Sequence, residues 1–389
     1  MHVQDRLIPT LMNLIASETC GAEAVDLTRE TLPESFWENL YRASKAHDMA
    51  HIVGAALEKQ GIALPDEIAK KFRKQQMLAV YRYQQLQYEL SELCRVLEEA
   101  EIPFIPLKGS VVRRYYPQPW MRTSCDIDVL VKEESLYRAT DVLCEKLSYR
   151  TDEKKNIHDI SLYSPSGIHV ELHFSLHEGM KKMDAVLDRV WDYTAAVEGS
   201  GYHLEQSAEF LVFHQIAHMA YHFLRGGCGI KPFVDLCLLR RALAIDGALL
   251  DELCDACDLR EFYKNTLDVT SLWFEGGEGS ELALQMQSYI LGGGVYGTKE
   301  NMVLVRQGRR GGKLRYALSR IFIPYKSLKR LFPILEKHKW LFPFYQVVRW
   351  LHIVFDGRFR SSVRELRINQ SVTSEQAEEI AHFLSNVGL

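Results

Sequence analysis

The 389-residue chain has no charge-free apolar run of about eighteen residues, the length a membrane-spanning helix needs, so no spanning helix is expected. Its start, Met1 to Cys20, lacks the basic opening, apolar core and small-residue cleavage site of a signal peptide, and no export signal is expected. Eight cysteines are scattered without the regular spacing of a disulfide framework, which suits a reducing cytoplasm. No DNA- or RNA-reading motif is present, so no specific nucleic-acid partner is expected. What remains is ordinary globular composition, 47% hydrophobic and 25% charged, in a chain long enough for two or three domains.

Net charge is also small, −4, but this conceals a split. Between Arg306 and Arg367 stand 16 Lys+Arg and 3 Asp+Glu, a net +13, which leaves −17 for the rest. Trp, Tyr and Phe are interleaved with those cations, notably from Trp340 to Phe355. Two readings follow: a basic helical hairpin packed on the acidic body, or an interfacial segment on an anionic membrane surface.

The chain is organised around Phe104 to Val131, FIPLKGSVVRRYYPQPWMRTSCDIDVLV. A short apolar run leads to Lys108-Gly109-Ser110, then to a short helical segment, a loop and a strand carrying Asp126 and Asp128. Residues i and i+2 of a strand share a face, so both carboxylates point one way while Ile127, Val129 and Val131 point into a core. Adjacent like charges on a strand are unfavourable unless a cation sits between them, and carboxylate oxygens suit Mg²⁺. Ile168 to Phe174, IHVELHF, alternates strictly and puts His169, Glu171 and His173 on a polar face. With His158 to Tyr163 and the turn Ser164 to Gly167 it reads as a hairpin. Pairing of this hairpin beside the Asp126–Asp128 strand would bring Glu171 to the two aspartates.

At these residues the chain resembles the polymerase-β-type nucleotidyltransferase superfamily, and within it a bacterial family described as uncharacterised nucleotidyltransferases. The shared features are Leu107-Lys108-Gly109, Arg122 before Asp126-Ile127-Asp128, and Glu171-Leu172-His173. Two departures are Glu171, where the family more often has Asp, and Ser124-Cys125 before the first Asp. The resemblance implies an NTP substrate, two Mg²⁺ ions on Asp126, Asp128 and Glu171, and transfer of a nucleoside monophosphate to an acceptor hydroxyl with pyrophosphate release. Asp126, Asp128 and Glu171 are then the catalytic and metal residues. Lys108, Gly109, Ser110, Arg122 and Lys231 are the candidate nucleotide contacts, with Arg225 a further one; Asp159 and Glu178 are the alternatives for the third acid. Two other outcomes stay open, a protein or RNA acceptor and a non-catalytic nucleotide-binding scaffold at a membrane surface.

Other clusters point less directly to chemistry. His214, His218 and His222 form one stripe of the helix Glu209 to Phe223, but no Glu adjoins the first of them as in zinc proteases. His47 and His51 lie one helical turn apart, and Cys254 and Cys257 form a lone CxxC; packing is expected of both pairs. Asp235 is expected to cap a helix after the loop Arg225 to Pro232. A long helix is expected from Ile68 to Ala100, with Leu78, Tyr81, Leu86, Leu90, Leu93 and Leu97 on its apolar stripe. The expected fold class is α+β: a nucleotidyltransferase-type core with a small mixed β-sheet, flanked by helical regions. The expected divisions are 1–102 (N-terminal helices), 103–204 (α/β core), 205–305 (helices closing over the site) and 306–389 (basic aromatic tail).

Overall fold

The computed structural model describes residues 6–28, 32–151, 158–295, 297–310, 312–355 and 359–389. Two compact units divide the chain, one of Met1–Tyr221 with Gly229–Val295, the other of His222–Cys228 with Tyr296–Leu389.

The first unit is α+β. Its five-stranded sheet comprises β1 (Phe104–Pro106), β2 (Asp126–Val131), β3 (Arg150–Thr151), β4 (Asp159–Tyr163) and β5 (His169–His173), in the order β1-β2-β5-β4-β3. β2 and β5 run parallel; the other pairs are antiparallel, so the sheet is mixed. A two-stranded ribbon follows, β6 (Thr194–Ala196) with β7 (Leu204–Gln206). The expected alternation carries the sheet. Ile127, Val129, Val131, Val170 and Leu172 are fully buried in one cluster with Leu86, Leu93 and Leu97 of the helix Asp66–Glu99 and with Leu136, Ala139 and Leu143 of the helix Leu136–Leu147. Burying each such side chain is worth roughly 1.5–3 kcal/mol before chain entropy is subtracted.

The helix Asp66–Glu99 corrects one expectation. Leu78 and Tyr81 do not join the buried stripe; they are 49% and 62% exposed. At ~1.5 Å per residue the helix far outruns the short strands it covers. Its start packs Phe72 against Tyr41 and Gly54, its middle buries Ala79 and sends Arg82 to the Cys125 carbonyl at 2.7 Å, and its last turns cover the sheet; Leu78 and Tyr81 lie beside that buried stripe and face solvent. Asp235 is a second correction. The helix Lys231–Ala242 begins a full turn earlier, with Pro232 in its first turn, so Asp235 lies inside the helix, fully buried, and caps nothing.

The regular elements of the second unit are all helices among its described residues. Val303 and Leu304 of the helix Lys299–Arg310 pack with Tyr316, Val372 and Ala377. Glu365 gathers Arg306 at 3.4 Å, Arg320 at 2.8 Å and the Tyr316 hydroxyl. A capping box of Thr373 and Gln376 opens the helix Ser374–Asn386. Among the described residues no helix is long and apolar enough to cross a membrane.

Candidate active site

The parallel register of β2 on β5 builds the site. It sets Asp126 opposite His169 and Asp128 opposite Glu171, all on the sheet face turned away from the apolar core. Their side chains converge as two overlapping sets, Asp126–His169–Glu171 and Asp128–Glu171–His173, each with its ligand atoms within 4.8 Å of one another. Glu171 belongs to both. Asp159 pairs with His173 across β4 and β5, and its carboxylate lies 3.4 Å from His158.

The two aspartates differ sharply in surroundings. Asp128 is buried, and its Oδ1 accepts from Lys108 Nζ at 3.0 Å and His173 Nε2 at 2.9 Å. Burial alone would raise its pKa, but these two cations hold it well below the usual carboxylate range. His173 also lies 3.3 Å from Glu171 Oε2; burial opposes its charge, yet the bonds to Asp128 and Glu171 lift it to about 8. That contact is the main reason Glu171 is held below its ordinary value. Asp126 goes the other way, raised by burial and then by the charges of Asp128 and Glu171. The outer set therefore carries crowded carboxylate oxygens, the donor chemistry that a hard divalent cation such as Mg²⁺ fits.

Lys108 reaches Asp128 from a tight turn. Its φ of +46° and ψ of −120° are the conformation of the first central residue of a type II′ turn, where glycine is usual. Leu107 N–H donates to the Asp128 carbonyl at 2.9 Å, tying the turn to β2. Gly109 is needed for close approach: a Cβ there would stand 3.2 Å from Ser124 Cβ. Arg113 clamps the turn, donating to the Gly109 carbonyl at 2.7 Å and to Ser124 Oγ at 2.8 Å. The helix Gly109–Val112 has four residues, and the N–H groups of Ser110, Val111 and Val112 donate to the carbonyls of Leu107 and Lys108. The turn thus presents side chains more than backbone donors.

Arg122 and Lys231 are engaged elsewhere in the first unit. Arg122 Nε bonds both oxygens of Asp235, at 2.8 and 3.0 Å, and Tyr116 donates to the same carboxylate at 2.6 Å. Lys231 pairs with Asp48 and bonds Thr123 Oγ1 at 2.9 Å. Both cations thereby brace the segment that leads into Asp126. His51, buried, bonds the Met121 carbonyl at 2.7 Å, and His47 bonds the Leu291 carbonyl at 3.3 Å. His218 bonds Glu178 at 2.8 Å, and buried His214 meets Gln206 at 3.3 Å. Burial, then Lys108, pushes both imidazoles down to about 3. Cys254 and Cys257 are buried, with burial pushing each up to about 12. Among the described residues none of these histidines or cysteines joins a metal-ligating group. Arg225 and His222 belong to the second unit. A cavity of about 1000 Å³ lined by Met12, Cys20, Arg241 and Trp273 does not border the carboxylates.

The model of an uncharacterised nucleotidyltransferase family matches residues 33–275, more than half of the chain and the whole of this site. The chain belongs to that family. No curated protein matches it. Among solved structures it is similar to an antigenic nucleotidyltransferase-like protein from Paracoccidioides brasiliensis, over 51% of this chain and 96% of that one, at 16% identity and a TM-score of 0.34. Lys108, Asp126, Asp128 and Glu171 all lie within the matched residues.

Proposed function

We propose that the protein is a Mg²⁺-dependent nucleotidyltransferase that moves a nucleoside monophosphate from an NTP such as ATP to an acceptor hydroxyl. The observation that carries this reading is the register of β2 on β5, which sets Asp128 against Glu171 with Asp126 beside them. The acceptor oxygen bonds to the α-phosphorus, the bond from that phosphorus to the bridging oxygen breaks, and pyrophosphate leaves with the electron pair. Bound at Asp126, Asp128 and Glu171, two Mg²⁺ ions would supply neutralisation of the phosphate charge and a lowered pKa for the attacking hydroxyl.

The protein's own groups do the rest. Glu171, kept ionised by His173, accepts the hydroxyl proton. His173 is a positioning residue, since its imidazole fixes both Asp128 and Glu171. Lys108, charged and mostly shielded from water, meets the β- and γ-phosphates together with Ser110 at the Gly109 turn. Arg122 and Lys231 act through the loop they brace, by way of Asp235, Asp48 and Thr123.

Purified protein incubated with Mg²⁺, cell fractions and NTP labelled at either the α- or the γ-phosphate tests this. Label from the α position should pass to an acceptor and label from the γ position should appear in pyrophosphate. Transfer of the γ label, or no transfer from any NTP to any fraction, contradicts the reading.

A further inference from the structure

The helix Phe342–Phe355 in the second unit is amphipathic the wrong way round for a helix facing water. Gln346, Arg349 and the Trp350 indole N–H face the protein. Gln346 is buried and donates to the Ile323 carbonyl at 2.6 Å; Arg349 donates to the carbonyls of Ile321 and Arg320 at 3.1 and 3.0 Å; Trp350 Nε1 donates to Ile321 at 3.0 Å. Its outer stripe is apolar. Phe344, Val347 and Leu351 are 61%, 59% and 51% exposed, and Trp340, one turn earlier, is 76% exposed. Spacings of three and four residues put Phe344, Val347 and Leu351 on one line of the helix, and Trp340 stands in the turn that leads into it. Phe322 and Leu331, exposed to similar degrees, belong to the segments just before it.

Scattered exposed apolar residues are ordinary, but a continuous stripe whose helix is anchored through its polar side marks a contact surface. Its charge setting selects the occupant. From Leu318 to His352 the chain has seven Lys+Arg and one acid. Lys326, Lys337 and Lys339 are exposed, while Lys329 is paired with Glu336 at 2.9 Å. An aromatic and aliphatic stripe with exposed Lys337 and Lys339 just before Trp340 matches an anionic lipid surface, acyl chains taking the stripe and headgroups the amines. We propose that the Phe342–Phe355 helix, with Trp340, is an interfacial anchor that docks this protein on an anionic bilayer without crossing it. The anchor holds whether or not the carboxylate site transfers nucleotides.

Full-length protein is mixed with phosphatidylcholine vesicles and with vesicles containing phosphatidylserine, at low and high salt, and sedimented. Binding to the anionic vesicles that weakens with salt is expected. Replacing Lys337 and Lys339 together with Ala should lower it about 30-fold, at roughly fivefold per cation near the surface. Phe344→Glu with Leu351→Glu should abolish it at an unchanged melting temperature. If that double variant does not fold, Trp340→Glu, which lies before the helix, decides by the same assay. Brominated lipid should quench wild-type fluorescence more than that of Trp340→Phe. Failure to bind anionic vesicles at low salt overturns the proposal. So does binding that Trp340→Glu leaves intact, equal binding to RNA and vesicles with no response to the apolar substitutions, or a concentration-dependent dimer through this face that ignores lipid.

Discussion

Asp128 and Glu171 stand opposite each other in the parallel ladder of β2 and β5, and one imidazole serves both. His173 Nε2 lies 2.9 Å from Asp128 Oδ1 and 3.3 Å from Glu171 Oε2. Lys108 donates to the same Oδ1 of Asp128 at 3.0 Å, so Asp128 has two cationic partners, whereas Asp126 faces crowding from its fellow acids with partial relief from Lys108 and His169.

The two aspartates therefore respond oppositely to the same substitution. Asp126→Asn removes a charge that its neighbours oppose, and should raise the melting temperature measured in a chelator. Asp128→Asn leaves Lys108 without its anion and His173 with Glu171 alone, and should cost about 3 kcal/mol, the usual penalty for breaking a buried pair from one side. Thermal or urea unfolding of the two variants checks this, and equal shifts for both would contradict the asymmetry.

Lys108 combines the amine proposed to meet phosphate with a strained backbone. Lys108→Ala removes the amine and keeps the strain, while Lys108→Gly removes both. Both should lose NTP binding, but the glycine variant should be the more stable by about 1–2 kcal/mol, the cost of a non-glycine residue in that conformation. Urea midpoints of the pair read this difference directly. A less stable glycine variant would mean that the turn is not strained.

His214 gives a pH dependence with a definite sign. Burial holds it near 3 in the folded protein, against about 6.5 when unfolded. Above pH 6.5 it is neutral in both states and contributes no slope. As pH falls from 6.5 toward 3 only the unfolded chain takes up the proton, so stability is lost at up to ~1.4 kcal/mol per pH unit. Unfolding free energies between pH 5 and 7 should rise with pH, and His214→Gln should flatten that slope by about one proton.

Arg122 and Asp235 test what holds the loop before β2. Asp235→Ala leaves a buried guanidinium unpaired and should destabilise by about 3–5 kcal/mol. Arg122→Lys cannot bond Asp235 and Thr123 through a planar fork and should lose a smaller part of that. If instead Arg122→Lys leaves stability unchanged and lowers NTP affinity, Arg122 contacts phosphate directly.

Much of this was legible in the sequence because period-two alternation fixes faces. Ile127, Val129, Val170 and Leu172 had to point one way, and Asp126, Asp128, Glu171 and His173 the other. The parallel pairing itself was only permitted, since register between strands some forty residues apart depends on how the chain between them packs. Leu78 and Tyr81 are exposed because the stripe that the helix buries runs through Phe72, Ala79 and Leu86, and the small Ala79 at its middle is a weak mark beside the larger apolar residues next to it. The Arg122–Asp235 and Lys231–Asp48 pairs join residues 113 and 183 positions apart and leave no local pattern. One signal was readable in principle: a bulky Lys in a glycine-type turn beside a lone Gly, next to a strand of paired acids.

The central claim is that Asp126, Asp128 and Glu171 form one metal-dependent nucleotide site. Titration calorimetry of NTP into wild type and into the Asp126→Asn, Glu171→Gln double variant, each with Mg²⁺ and with chelator, tests it most directly. Neither substitution touches the buried Asp128–Lys108–His173 contacts, and both proteins should be folded by circular dichroism. Wild type should bind NTP only with Mg²⁺, and the double variant, without two of the three carboxylates that would hold the metal, should lose that Mg²⁺-dependent binding. A double variant that binds Mg²⁺–NTP as tightly as wild type would contradict the account.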